Sequence, residues 1–395
     1  MTSLSLYRGQ ARQGIGEGTG ESVFGEQYLA IDDDLRGNGS IFEAARSWMT
    51  LDARDSDHQQ LADQLEAWSL FQHGDYTAIV RMVTNPHFRK YDKRAAYFAH
   101  ARFWLGTTRH VTSHFGQASL FDEPAPDAMS LPDAHSDETA SIAEVPPKDP
   151  EQAIRFLAQM MQAHLFGYPL IVVAELEDFA RNASLLPIVS FALAAMPKSL
   201  KAKARIRFFT STPRLFLSHL GATVVVVLKR DAPDALKAAD NVILLDREGN
   251  QGRGPTLHSN IDAYARAVVG RALKLPSGLL PFTERVDEFI AAPEPPNDLL
   301  RSSIVALYNI AYATQHPEKI GRMIRKSIAP QIARGHRLLP VDRLLPAHEQ
   351  GIWSDVADTD LIGLVLDDDL PSPKLDENPR SEGDRGRFKA QVSCA

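Results

Sequence analysis

Arg89, Lys90, Lys93 and Arg94 place four cations within six positions, with Phe88, Tyr91, Tyr97 and Phe98 around them. Clustered guanidinium and ammonium groups attract phosphates and carboxylates, and interleaved rings add stacking surface. The segment is therefore a candidate contact for an acidic protein or for nucleic acid. The simpler reading is a solvated loop beside a core strand, because exposed cations need no ligand. From Tyr97 onward, aromatic residues alternate with small or polar ones, as on one face of a buried strand.

An alternating glycine run, Gly14, Gly16, Gly18 and Gly20, could bring backbone N–H groups against a phosphate. A dinucleotide site needs a strand before such a run and a helix after it, and the stretch 21–31 reads as extended. No Gly-Lys-Ser/Thr closes the run as in a P-loop, so a flexible hairpin connection is the simpler reading. Tyr7-Arg8-Gly9, followed by Val23 to Ala30, is similar to the opening strands of ADP-ribosyltransferases. That likeness implies that Arg8 holds a dinucleotide. The downstream Glu-x-Glu or Gln-x-Glu that would stabilise the developing cation is missing, so the alternative for Arg8 is a solvent-facing position on a first strand.

His110 and His114 stand four apart and could share a helix face toward a metal, but no third ligand is assigned and no Glu stands between them. Asp367-Asp368-Asp369 precedes a Pro-containing stretch and reads as a solvated charge run. No Gly-x-Ser-x-Gly elbow supports a serine hydrolase. The residues thus predict no catalytic constellation, no metal site and no cofactor.

The elements that would position these residues follow from periodicity. Leu4–Tyr7, Tyr28–Ile31 and Tyr76–Val83 read as strands, and Ser56–Trp68 reads as a helix because Leu61, Leu65 and Trp68 recur at i, i+4 and i+7. These predict an α+β amino-terminal domain over 1–118 with a mixed sheet. Residues 119–150 carry eight acidic residues, one basic residue and six prolines, which predicts a linker or insertion. Asp149 caps a helix begun by Pro150. The apolar runs Leu170–Ala174, Val224–Leu228 and Val242–Leu245, with the alternating Ala204–Thr210, predict a largely parallel sheet over 151–254, connected by helices at Phe179–Met196 and Pro233–Ala239. A helical region is expected over 255–365, with helices at Ser259–Lys274, Thr283–Ala291, Asp298–Gln315 and Pro317–Arg334, and a disordered tail over 366–395.

Composition narrows the class. The chain has 395 residues, 44% hydrophobic and 24% charged, with a formal net charge of −7, which argues against a general nucleic-acid coat. Its single cysteine, Cys394, excludes an intrachain disulfide and a Cys-ligated zinc or iron–sulfur site, and points to a reducing compartment. No leader-like opening and no apolar run near ~20 residues is present, so a cytoplasmic protein without a membrane partner is expected.

The run Trp68 to Arg81, followed by Asp92 to Ala101, resembles the amino-terminal domain of the GTPase-associated protein 1 family of bacterial conflict and signalling systems. Leu185-Leu186-Pro187 and Met196 to Thr212 are similar to that family's helix, Pro-containing turn and Phe-Ser/Thr strand. The resemblance implies a non-catalytic adaptor or regulatory scaffold, some relatives being linked to antiphage defence. Its protein partner would be a GTPase, an AAA+ ATPase or an effector. Arg81, Tyr97 and His100 match the family pattern at positions around a strand that fit core or groove formation as readily as ligand binding, and Arg81 and His100 join the cationic cluster as candidate contacts for a partner or phosphate. An ADP-ribosyltransferase-like or other nucleotide-binding enzyme and a nucleic-acid-binding component are the alternatives.

Overall fold

Short runs rich in aliphatic and aromatic residues cannot satisfy their backbone N–H and C=O groups alone, and here they gather into one sheet. The computed structural model describes residues 3–11, 25–32, 35, 39–61, 64–89, 95–105, 111–124 and 148–274. Its strands are β1 (Ser3–Ala11), β2 (Gly25–Ile31), β3 (Glu66–His73), β4 (Tyr76–Arg89), β5 (Ala95–Leu105), β6 (Leu170–Ala174), β7 (Ile206–Thr210), β8 (Val224–Leu228), β9 (Ile243–Leu245) and β10 (Gln251–Arg253). They form a ten-stranded mixed sheet in the order β10-β9-β6-β8-β7-β3-β4-β5-β1-β2.

The helices are α1 (Gly39–Trp48), α2 (Asp55–Leu61), α3 (Pro150–Phe166), α4 (Leu185–Ala195), α5 (Lys198–Lys201), α6 (Ala232–Leu236) and α7 (Ser259–Lys274). By contact the chain divides into two compact units, one of Met1–Ala143, Ala163–Ala194 and Leu200–Thr256, the other of Glu144–Gln162, Ala195–Ser199 and Leu257–Ala395. The whole sheet belongs to the first.

Within the sheet, β7, β8, β6 and β9 run parallel, whereas β2, β1, β5, β4 and β3 pair antiparallel throughout. The amino-terminal strands, expected as a mixed sheet, are thus antiparallel, as suits strands joined by the tight Gly74 turn at φ 55°. The seam is the antiparallel pair β3–β7, with Trp68 opposite Phe208 and Leu70 opposite Ile206. It makes one sheet of segments read separately as 1–118 and 151–254. The all-aliphatic strands are buried along nearly their whole length, as covered parallel strands must be.

Three expectations change. The helix expected over Ser56–Trp68 ends at Leu61, and Trp68 lies in β3 because that stretch has partners on both sides, Arg81 of β4 and Phe208 of β7, which outweigh its helical spacing. The connecting helices are shorter than read, at α4 and α6. The stretch 119–124 is not linker. Leu120 and Phe121 are buried, and Phe121 packs edge-on against Trp68 at 5.1 Å.

In the second unit, Asp149 caps α3 as expected: the Gln152 backbone N–H donates to its Oδ1 at 3.0 Å. Ile261, Tyr264, Ala265, Val268 and Ala272 form the buried stripe of α7. The later predicted helices, the tail, most of the acidic stretch and the Gly14–Gly20 run lie outside the described residues.

Candidate functional site

Directly opposed residues of neighbouring strands share a face. One such row crosses five strands: Phe208 of β7, Trp68 of β3, Arg81 of β4, His100 of β5 and Tyr7 of β1. Two residues along, Glu66, Arg102 and Ser5 fall on the same face. The segment Val111–Pro124 straps across it. Phe115 and Phe121 pack edge-on against Trp68, Leu120 accepts from Arg102 Nη1 at 2.9 Å, and Asp122 and Glu123 deliver carboxylates to the row.

Ser5, His100 and Asp122 form a serine–histidine–carboxylate string. His100 Nε2 is 3.2 Å from Ser5 Oγ, and Nδ1 is 3.4 Å from Asp122 Oδ2. Its hydrogen bonding runs the wrong way for a nucleophile. The Asp122 backbone N–H donates to Nδ1 at 3.0 Å, so the ring proton sits on Nε2 and is offered to Ser5. A base that activates serine needs a free Nε2 lone pair. Burial, then Arg102 and Arg81, hold the imidazole well below its ordinary pKa of 6.5, so it is neutral. Tyr7 stacks on His100 at 4.3 Å and donates to Asp122 Oδ2 at 2.5 Å, and its phenol is pushed upward by burial and by that carboxylate. The string is a buried polar lock between the strap and the sheet.

Beside it, Arg81 Nε donates to Glu66 Oε1 at 2.6 Å, and Nη1 lies 2.7 Å from Glu123, which also pairs with Arg181 at 3.1 Å. Burial lowers the Arg81 pKa, but Glu66 and Glu123 outweigh it and the net shift is upward.

The opposite face carries a second network. Arg207 of β7 is fully buried and donates to the Trp48 and Thr50 carbonyls, to Ser69 Oγ and to Asp52 Oδ1. Asp52 Oδ2 also accepts from the Thr210 and Thr212 hydroxyls and from the backbone N–H groups of Ser211 and Thr212. Phe209 holds φ 75° at a bulge in β7, a conformation that costs a bulky side chain energy and here turns Thr210 toward Asp52.

Ligands of open α/β sheets bind beyond the carboxyl ends of the parallel strands. Those ends carry internal ion pairs: Arg230 with Asp57 and Asp231, Arg54 with Asp231, and Arg247 with Asp178. Among the described residues, no group of three or more His, Cys, Asp or Glu is arranged to hold a metal. No described helix is long and apolar enough to cross a membrane.

Of the residues singled out in the sequence, Arg81 and His100 meet on one row, buried at 4% and 3% exposure. Arg8 is also buried, a correction to its expected solvent-facing position, because β1 is an interior strand between β2 and β5. It lies on the opposite face, where Nε donates to Tyr97 Oη at 3.3 Å. Arg89 ends β4, paired with Ala95 through the backbone. Lys90, Lys93, Arg94, Gly14, Gly16, Gly18 and His110 fall outside the described residues, and His114 stacks on Trp104 at 5.6 Å.

Sequence reasoning missed Ser5, Tyr7, Asp52, Glu66, Asp122, Glu123, Arg181 and Arg207. For Ser5, Tyr7, Glu66 and Arg207 the one local signal is a polar residue at a core-facing strand position, whereas Asp52, Asp122, Glu123 and Arg181 lie outside the strands and carry no such signal. A scan against protein-family models and a search of curated proteins find no match to this chain.

Proposed function

We propose that the chain is a non-catalytic adaptor or regulatory scaffold acting in the cytoplasm in a bacterial conflict or GTPase-linked signalling system. It binds a protein partner of the GTPase, AAA+ ATPase or effector type. One observation carries this reading. The nucleophile-type and base-type side chains brought together on the sheet, Ser5, Tyr7, His100 and Asp122, are bonded to one another in a buried lock, with the imidazole proton on the nitrogen a base would need free. Groups so engaged serve to fix geometry, which favours a structural role for this cluster. The resemblance of Trp68–Arg81 and Asp92–Ala101 to the GTPase-associated family supports the same role.

The test is binding of the purified chain to the products of genes encoded beside its own, by calorimetry at micromolar concentrations. A stable complex is expected. Failure of every such pair to associate, or turnover of a small substrate that is lost in Ser5→Ala, refutes the proposal.

A further inference from the structure

Two arginines converge on one exposed carboxylate. Arg81 is 4% exposed, Arg181 31% and Glu123 55%. The Glu123 oxygens are divided between the two arginines, Oε1 lying 2.7 Å from Arg81 Nη1 and Oε2 3.1 Å from Arg181 Nη1.

The Arg81 guanidinium and the Arg181 backbone are fixed independently of that carboxylate. Arg81 is anchored by Glu66 at 2.6 Å. The Arg181 backbone N–H donates to the Gln64 carbonyl at 2.9 Å, and neighbouring Ala180 bridges Leu65. Donor capacity is left over. Arg181 Nε is buried with no acceptor among the described residues, and Arg81 Nη1 meets Glu123 at short distance without hydrogen-bond alignment. The Arg81 half of the cradle thus stands without Glu123, and Glu123 does not use the donors of the two arginines fully.

Charge selects the ligand. Arg81 and Arg181, offset by Glu66, leave one net positive charge, which a single carboxylate neutralises. A phosphate dianion would leave excess negative charge against buried Glu66.

We propose that Arg81 and Arg181 form a carboxylate-binding site, filled by Glu123 in the free chain and entered in its place by an Asp or Glu side chain of an acidic segment of the protein partner. This rests on the partner-binding reading above. Because Glu123 is tethered, its effective concentration is on the order of millimolar, and a free acidic segment competes poorly until it is removed.

The test titrates the full chain with a capped peptide of alternating glutamate and glycine, with its glutamine counterpart, and with inorganic phosphate at matched ionic strength. Glu123→Gln is expected to tighten glutamate-peptide binding at least tenfold, the double variant with Arg181→Gln to abolish the gain, and the glutamine peptide not to bind. Circular dichroism checks that the fold is kept. If Glu123→Gln does not fold, Glu123→Asp, whose shorter arm cannot span both arginines, is expected to give a smaller tightening. No tightening in whichever variant folds, tightening that survives Arg181→Gln, or preference for phosphate overturns the site. A partner complex that forms equally well with Arg181→Gln overturns the site and leaves the scaffold reading standing. Absence of any complex removes the scaffold reading, and the peptide titration still decides the site.

Discussion

Replacing Arg207 by lysine keeps the charge and removes the fork, which makes it the sharpest probe of the buried network on β7. Arg207 serves four oxygen acceptors with two nitrogens. Nη1 reaches the Trp48 carbonyl at 2.9 Å and Ser69 Oγ at 2.9 Å, and Nη2 reaches the Thr50 carbonyl at 2.6 Å and Asp52 Oδ1 at 2.9 Å. Its guanidinium centre also lies 4.6 Å from the Phe216 ring centroid. A lysine ammonium has three donors in a tetrahedral array on a strongly hydrated point charge, and cannot reproduce that planar pattern. Asp52 keeps its Thr210, Ser211 and Thr212 donors, and the Trp48 carbonyl keeps Ser69 Oγ at 3.0 Å, so the loss falls chiefly on the Thr50 carbonyl. At about 1–3 kcal/mol for a buried acceptor left without a partner, Arg207→Lys should cost about 1–3 kcal/mol. Arg207→Met, which also leaves the Asp52 charge unpaired, should cost at least as much. Urea unfolding followed by circular dichroism measures both as shifts of the midpoint at unchanged slope. Arg207→Lys lying within about 0.5 kcal/mol of the parent would refute the claim that the planar fork, and not the charge alone, holds Trp48–Asp52 to the sheet.

His100, neutral in the fold and held below its ordinary pKa, makes stability pH-dependent. The unfolded chain takes up a proton near pH 6.5 and the folded chain does not, so stability is present above pH 6.5 and falls as pH drops, by up to about 1.4 kcal/mol per pH unit. Urea midpoints at pH 7.5, 6.5 and 5.5 should show this fall, and His100→Gln should flatten it. Replacing Glu66 by glutamine leaves Arg81 its Glu123 partner and should cost about 1–3 kcal/mol, and a double-mutant cycle with Arg81→Gln should return a coupling of about 1 kcal/mol or more. Gly116 sits at φ 82°, and an added Cβ would lie 2.2 Å from Ser190 Oγ. Gly116→Ala should therefore lower the thermal midpoint by an amount equivalent to more than 1 kcal/mol, and an unchanged midpoint would contradict the close approach of the strap to α4.

The lesson for reading such chains lies in particular elements. Leu170–Ala174 and Val224–Leu228 announce covered strands because their apolar runs are continuous, and Asp149-Pro150 announces a helix start because the side-chain acceptor and the fixed φ act locally. Trp68 misleads because its helical spacing to Leu61 and Leu65 is local, whereas its pairing with Arg81 and Phe208 is not. Arg81 and His100 stand out in the sequence, with core formation and partner contact equally open to them. Only the register of β4 on β5 puts them side by side and turns them inward.

Local residue patterns suffice for the strands Leu170–Ala174 and Val224–Leu228, for the Asp149 cap, and for the absence of thiol chemistry between distant parts of the chain, because each depends on residue types within a few positions. Long-range packing is what joins β3 to β7 and brings Glu123 and Arg181 to Arg81. It likewise decided that the Asp122 backbone reverses the proton on His100. Those outcomes depend on strand register and on a strap folded over one face. A one-residue slip of β4 on β5 would put Arg81 and His100 on opposite sides of the sheet.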